Sequence, residues 1–220
     1  MNGATVPSST RPAGGRPEGA PEDHRRFLNA YYGTSRHIYD VTRKYYLFGR
    51  DRALEELGRE AWSTLVEIGP GTGRNLRVLR SARPDGRLGG VEPCDEMLAH
   101  ARARCPWAAL SHGFAESADL GAVHGAPPDR VLFSYCLSMV SDPSAALARA
   151  RAALAGGGSV VVVDFADMAT MPTPLRTALR AWLAAYHVTP LSSEVLEQRG
   201  VSVIYGPLRY YAIARFSAPA

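Results

Sequence analysis

The sequence has little of what marks a specialised environment. Cysteine is scarce: Cys94, Cys105 and Cys136 are three in 220 residues, with no CxxC pair. That excludes a disulfide scaffold and a zinc ribbon. Lysine is almost missing, with Lys44 alone among 25 basic residues, so no GxxxxGK[ST] phosphate loop exists. The histidines are scattered without an HExxH pattern, and no metal is expected. No apolar run approaches the roughly 20 residues of a membrane helix. The opening MNGATVPSSTRPAGG has no apolar stretch of a secretory signal. What is present is ordinary, 46% hydrophobic and 21% charged residues with a formal net charge of +4. This suits one large α/β domain of a reducing, cytoplasmic compartment.

Residues 1–22 alternate proline with glycine and carry almost nothing large and apolar. Burial cannot offset the entropy of ordering them, so they are expected to be a disordered tail. Residues 23–60 are rich in aromatic and basic side chains at helical spacing, with stripes through Phe27, Tyr31, Ile38, Val41, Tyr45 and Leu47, and predict a helical cap. From 61 to 220 strands alternate with helices. Strands are expected at 63–68, 87–91, 107–111, 129–135, 159–165, 201–205 and 210–216. Helices are expected at 74–82, 95–104, 145–154 and 174–186. The run 159–165 is β-branched and apolar on both faces, as a central parallel strand covered by helices must be. The last two strands predict an antiparallel hairpin about Gly206-Pro207. The expected fold is therefore α/β: a mostly parallel seven-stranded sheet with a C-terminal antiparallel hairpin and an N-terminal helical cap.

The densest signal is Glu67-Ile68-Gly69-Pro70-Gly71-Thr72-Gly73. Glycines directly after a strand permit a tight turn and a close approach of backbone to ligand. A dinucleotide fingerprint would need glycine where Arg74 stands. Gly69, Gly71 and Gly73, with Glu67 two residues ahead, resemble motif I of class I S-adenosylmethionine (SAM) methyltransferases, which have a Rossmann-like fold. The resemblance implies SAM as cosubstrate, held by Glu67, Gly69, Gly71, Gly73, Asn75 and Ser134, with 61–220 as the SAM-binding domain. Glu92 ends the next strand, where a carboxylate can accept both ribose hydroxyls of an adenosine ligand. The competing role for Glu92 is to cap the helix that follows.

A narrower resemblance rests on YYGTSRHIYDVTRKYYLFGRDRAL (31–54), EIGPGTGRNL, EML, FSYCLSM, VVVDF and AYHVTP. Together these are similar to the N-methyltransferases of betaine-lipid synthesis, which form diacylglyceryl-trimethylhomoserine. The chain departs from that family's usual pattern at Pro70, at Glu92-Pro93-Cys94, at Cys136 and at Leu191. The resemblance implies methyl transfer to the amine of a homoserine-type head group or a similar small amino acid derivative. A second group of similar scaffold, the azetidine-2-carboxylate synthases of natural-product biosynthesis, cyclises SAM itself and releases methylthioadenosine. Both readings share one ligand and differ in which carbon of the sulfonium is attacked.

Either reaction must hold a nitrogen in line with that carbon and accommodate cationic charge, which aromatic faces do by cation–π attraction. Tyr39, Tyr135 and His187 are the candidate catalytic residues, His187 as a general base near neutral pH. Tyr31, Tyr32, Arg43 and Tyr186 are candidates for the acceptor side. The alternatives are that the tyrosines pack the cap against the sheet and that His187 is a helix-terminal residue. Cys136 and Cys94 are expected to be small packing residues. No [DN]PP[YFW] step supports methylation of nucleic-acid bases.

The charge is unevenly placed. Residues 23–52 hold seven basic and three acidic residues, and the segments on either side are each neutral. That excess is suited to anionic lipid head groups or a carboxylate-bearing ligand, so a peripheral membrane contact through 23–52 is expected, with no nucleic-acid partner. A solvated helix face is the alternative.

Overall fold

The computed structural model describes residues 47–218. The expected tail and the first part of the expected cap lie outside the described residues. The described chain opens with helix α1 (Arg50–Arg59), followed by β1 (Thr64–Ile68), α2 (Arg74–Ala82), β2 (Arg87–Glu92), α3 (Asp95–Arg104) and β3 (Ala109–His112). Next come β4 (Arg130–Ser134), α4 (Pro143–Ala152), β5 (Ser159–Phe165), α5 (Thr173–Ala185), the short α6 (Ser193–Leu196), β6 (Ser202–Tyr205) and β7 (Tyr211–Ser217).

The strands form one seven-stranded sheet in the order β3-β2-β1-β4-β5-β7-β6. The first five are parallel, and β7 is antiparallel to both β5 and β6. Every residue of β1 and β5 is buried, as double-sided helix cover demands. Strand alternation divides the core. Ile68, Phe133, Val160, Val162 and Phe216 pack on one face, while Leu65, Leu132 and Val161 meet Leu54, Leu57, Leu76 and Leu79 on the other. A third cluster gathers Leu47, Tyr135, Phe165, Met168, Leu183 and Val188 beyond the carboxyl end of β5.

Several boundaries move from expectation for local reasons. Helix α4 starts at Pro143 because Asp142 caps it, accepting the Ala145 N–H at 2.9 Å. Strand β3 starts at Ala109 because the Ala108 N–H turns back to the Cys105 carbonyl at 2.9 Å. The β6–β7 connection contains a 3-10 turn at Pro207–Arg209, longer than a two-residue hairpin. The ring of Tyr211 lies between Gly49 and Gly206, and a Cβ at either glycine would collide with it. Among the described residues, no helix is long and apolar enough to cross a membrane.

The amino ends of the strands are closed by matched charges. Asp129 accepts the N–H groups of Ser63 and Thr64 at 2.7 and 2.9 Å. Glu60 pairs with Arg130 at 3.0 Å and with Arg215.

Candidate active site

Strand order reverses between β1 and β4, and an open parallel sheet has its ligand crevice at the carboxyl ends beside such a reversal. The glycine turn lies there. Gly69, Gly71 and Gly73 have φ of +64°, +55° and +77°, a region that L side chains rarely adopt. Gly73 closes the turn, its N–H donating to the Pro70 carbonyl at 2.9 Å. A Cβ on Gly73 would lie 2.8 Å from the Cys105 sulfur, and one on Gly69 3.1 Å from Cys136 Cβ. At Gly71 nothing stands within 4 Å of that position. The Cα of Gly71 therefore faces open space, while its neighbours are packed from behind.

Four polar side chains border this turn. Glu92, the last residue of β2, accepts the Gly71 N–H on Oε2 at 2.9 Å and the Cys94 N–H on Oε1 at 3.0 Å. The carboxylate thus joins the glycine turn to the residue preceding α3, so the capping alternative describes one of its two oxygens. Glu67 is fully buried, and its Oε1 accepts from Asn75 Nδ2 at 2.7 Å. Its Oε2 has no hydrogen-bond partner, nor does the buried Ser134 Oγ at the end of β4. Burial pushes the Glu67 carboxyl up to about 8; the Asn75 hydrogen bond opposes this and the nearby Glu92 charge adds to it. The seven residues expected to hold SAM are therefore brought to one edge of the sheet.

The residues expected to carry the chemistry fare differently. Tyr31, Tyr32, Tyr39 and Arg43 lie outside the described residues. Tyr135 follows β4 and is buried. Its ring is buried edge-on against Phe165, with centroids 4.8 Å apart, and its hydroxyl donates to the Phe48 carbonyl. Burial raises its phenol far above the ordinary range. Tyr186, the residue after α5, is exposed, with Trp182 tilted against it at 5.1 Å.

His187 follows the end of α5 at φ +57°. Its N–H donates to the Ala184 carbonyl at 3.0 Å, and the Val188 N–H reaches back to Leu183 at 3.1 Å. This is a Schellman closure with a non-glycine residue in its left-handed position, so the helix-terminal alternative describes its backbone. Cys136 donates its thiol to the Ile68 carbonyl at 3.0 Å and is held well above its usual pKa by burial, in keeping with packing rather than nucleophilic chemistry.

Two features went unrecognised in the sequence. Asp164, buried near the end of β5, accepts the N–H groups of Ser138 and Phe165 at 3.0 and 2.8 Å. Burial pushes it up to about 6 against these donors. The Ser138 carbonyl in turn accepts the Thr189 N–H at 2.8 Å, and the Phe165 carbonyl accepts that of Leu191 at 2.8 Å, which ties residues 189–191 to the 3-10 turn after β4 and to the end of β5. The available signal was one charge inside the apolar run SVVVVDF. The second feature is an apolar group beside Glu92, in which Cys94 and Met97 are packed by Phe114 and Met139. Among the described residues, no three His, Cys, Asp or Glu side chains are grouped to hold a metal ion.

An open sheet with a glycine turn and buried carboxyls at its reversal point defines the class I SAM-dependent methyltransferase fold. The chain belongs to the methyltransferase domain family, whose profile matches residues 39–200. It is accordingly a SAM-dependent transferase, with SAM as cosubstrate. Among solved structures it is similar to a chain of the Haloferax volcanii complex with the Trm112 methyltransferase activator. The identity is 18%, the TM-score 0.67, and the match covers 88% of this chain and 98% of that one. A SAM-dependent methyltransferase from Thermotoga maritima matches at 19% identity and a TM-score of 0.63, over 86% of this chain and 99% of that one. The plantazolicin methyltransferase BamL, solved with S-adenosylhomocysteine and a desmethyl substrate analogue, matches at 17% identity and a TM-score of 0.60. That match covers 86% of this chain and 79% of the other. Comparison with curated proteins found no match.

Proposed function

We propose that the protein is an N-methyltransferase that methylates the amine of a homoserine-type, 3-amino-3-carboxypropyl head group or a similar small amino acid derivative. The observation that carries this reading is the acidic lining of the crevice. Glu67, Glu92 and Asp164 are all buried at the carboxyl ends of their strands, a setting that favours cationic ligands over anionic ones. A sulfonium cosubstrate and an amine acceptor are both of that kind.

In this reading Glu67, Gly69, Gly71, Gly73, Asn75, Glu92 and Ser134 hold SAM. The fit is supported by the open side of Gly71 and by the bare oxygens of Glu67 and Ser134. Bound SAM supplies an activated carbon on a neutral leaving group. The chain's own task is then to position and to exclude water. The segment that Asp164 holds through Ser138 and Thr189 borders the acceptor side. Tyr31, Tyr32 and Arg43, from a cap of residues 23–60 that precedes the SAM-binding domain 61–220, and Tyr186 after α5 serve that side, with Tyr39 as a catalytic residue. The basic excess of 23–52 accords with an acceptor carried on a lipid at an anionic surface.

The test is an incubation of the full chain with SAM, with and without a homoserine-type amine, followed by mass spectrometry. S-adenosylhomocysteine formed only when the amine is present is the expected result. Methylthioadenosine and azetidine-2-carboxylate from SAM alone would replace this reading with the cyclising one.

A further inference from the structure

Glu67 is a fully buried carboxyl with half of its hydrogen-bonding capacity unused. Asn75 Nδ2 serves Oε1 at 2.7 Å, and Oε2 meets no donor. A buried carboxylate needs donors at both oxygens or a cation beside it. The charged and titratable groups that face it come from every surrounding element. Glu92 on β2 opposes ionisation, and Arg50 on α1 and Arg74 on α2 favour it. The thiols of Cys136 and Cys105 also neighbour it, both held neutral by burial. Arg74 is already engaged with Asp51 at 3.0 Å.

We propose that Glu67 is protonated in the free protein and loses that proton to solvent when a cationic ligand enters the crevice, so that cosubstrate binding is coupled to proton release. The carboxyl O–H bond breaks, its electron pair stays on the oxygen, and the proton passes to the buffer. The carboxylate then faces the ammonium or sulfonium of the ligand. The inference rests on the proposed assignment of the SAM site. With the carboxyl pushed up to about 8, the neutral form prevails at pH 7 until a ligand cation takes the place that Arg50 and Arg74 do not fill.

The experiment is a calorimetric titration of the full chain with SAM at pH 7 in two buffers of different ionisation enthalpy. Close to one proton released per SAM bound is expected. Between pH 6 and 7 the ligand's own ammonium keeps its charge, because an α-amino group titrates at about 7.7–8.0. The Kd should fall about tenfold per pH unit across that interval. Glu67→Gln should bring the released proton to zero and leave the Kd independent of pH. S-adenosylhomocysteine keeps the ammonium and lacks the sulfonium. Release with both ligands assigns the ammonium as the partner of Glu67, and release with SAM alone assigns the sulfonium.

Binding whose heat does not depend on the buffer would overturn the inference and leave the site assignment standing. Proton release that persists in Glu67→Gln would overturn it as well. Absence of any SAM binding would overturn the site assignment and this inference together. Should Glu67→Gln fail to fold, the two-buffer comparison on the unaltered chain decides.

Discussion

The two ends of the same parallel strands are built to opposite rules. At the amino ends, Asp129 is met by two backbone N–H groups, and Glu60 by the guanidinium groups of Arg130 and Arg215. Asp129 is accordingly held below the ordinary carboxylate range by those donors, against its partial burial. At the carboxyl ends, Glu67 and Asp164 are more deeply buried and are met by amides alone among their hydrogen-bond donors. Both carboxyls are pushed upward. One end is finished as folded, whereas the other leaves Glu67 Oε2 and the hydroxyls of Ser134 and Ser138 without partners among the described residues. An unsatisfied buried polar group is costly to a protein that binds nothing. Its persistence at one end of the sheet is what separates the working edge from the supporting one.

The sharpest way to break this contrast is Gly71→Val. A branched side chain would fill the open space at Gly71, and SAM affinity should fall by at least about 100-fold, or about 2.7 kcal/mol. Calorimetry showing unchanged affinity would remove the glycine turn from the site.

A second break is the pH dependence of stability. The folded carboxyls of Glu67 and Asp164 titrate near 8 and 6, above ordinary values of 4.5 and 3.8. The folded state therefore binds more protons than the unfolded chain within those windows. Stability should fall as pH rises from about 4 towards 8, by about 1.4 kcal/mol per pH unit for each group in its window. Asp129 acts in the reverse sense, because its lowered pKa gives a contribution that is lost as pH falls through the folded value. Denaturant unfolding at several pH values should show the decline, and Glu67→Gln should lessen it below about pH 6, where Asp164 still titrates, and flatten it above.

At the supporting edge, Glu60→Gln should cost about 1–3 kcal/mol by weakening the hold on Arg130 and Arg215. SAM affinity should not change, and a parallel loss of affinity would erase the distinction between the edges. The smallest effect is reserved for His187→Gly. Glycine relieves the left-handed position that closes α5, which should add up to about 1 kcal/mol of stability. Turnover tests the side chain separately: a large fall in kcat with the stability gain intact assigns His187 as the base, and unchanged kcat removes that role.

Much of the fold was legible because its longer elements carry their own signals. Helices 74–82 and 95–104 and strand 159–165 were expected at the bounds they have. In each, a periodic or continuous apolar run is stopped by a local breaker. The 3-10 turn Leu137–Met139 and helix α6 were not legible, since three or four residues contain no period. The glycine turn and Glu92 were legible because their spacing is local. The packing of the Tyr135 ring was not legible because the end of a strand fixes where a backbone lies and leaves the direction of its ring to its neighbours. Asp164 was missed because its partner Ser138 is 26 residues away in sequence, and no local pattern joins them.

The ring of Tyr211 between Gly49 and Gly206 has a consequence for how the molecule is made. Tyr211 opens β7, which inserts between β5 and β6, so the Gly49 turn that precedes α1 meets this ring only after residue 211 has been synthesised, whereas Leu54 and Leu57 of α1 find their partners in β1 and α2 much earlier. At synthesis rates of about 5–20 residues per second, Gly49 waits roughly 8–30 seconds for the Tyr211 ring. Assembly of the β1–β4 sheet can proceed in that interval, and the Gly49–Tyr211 junction is among its last steps.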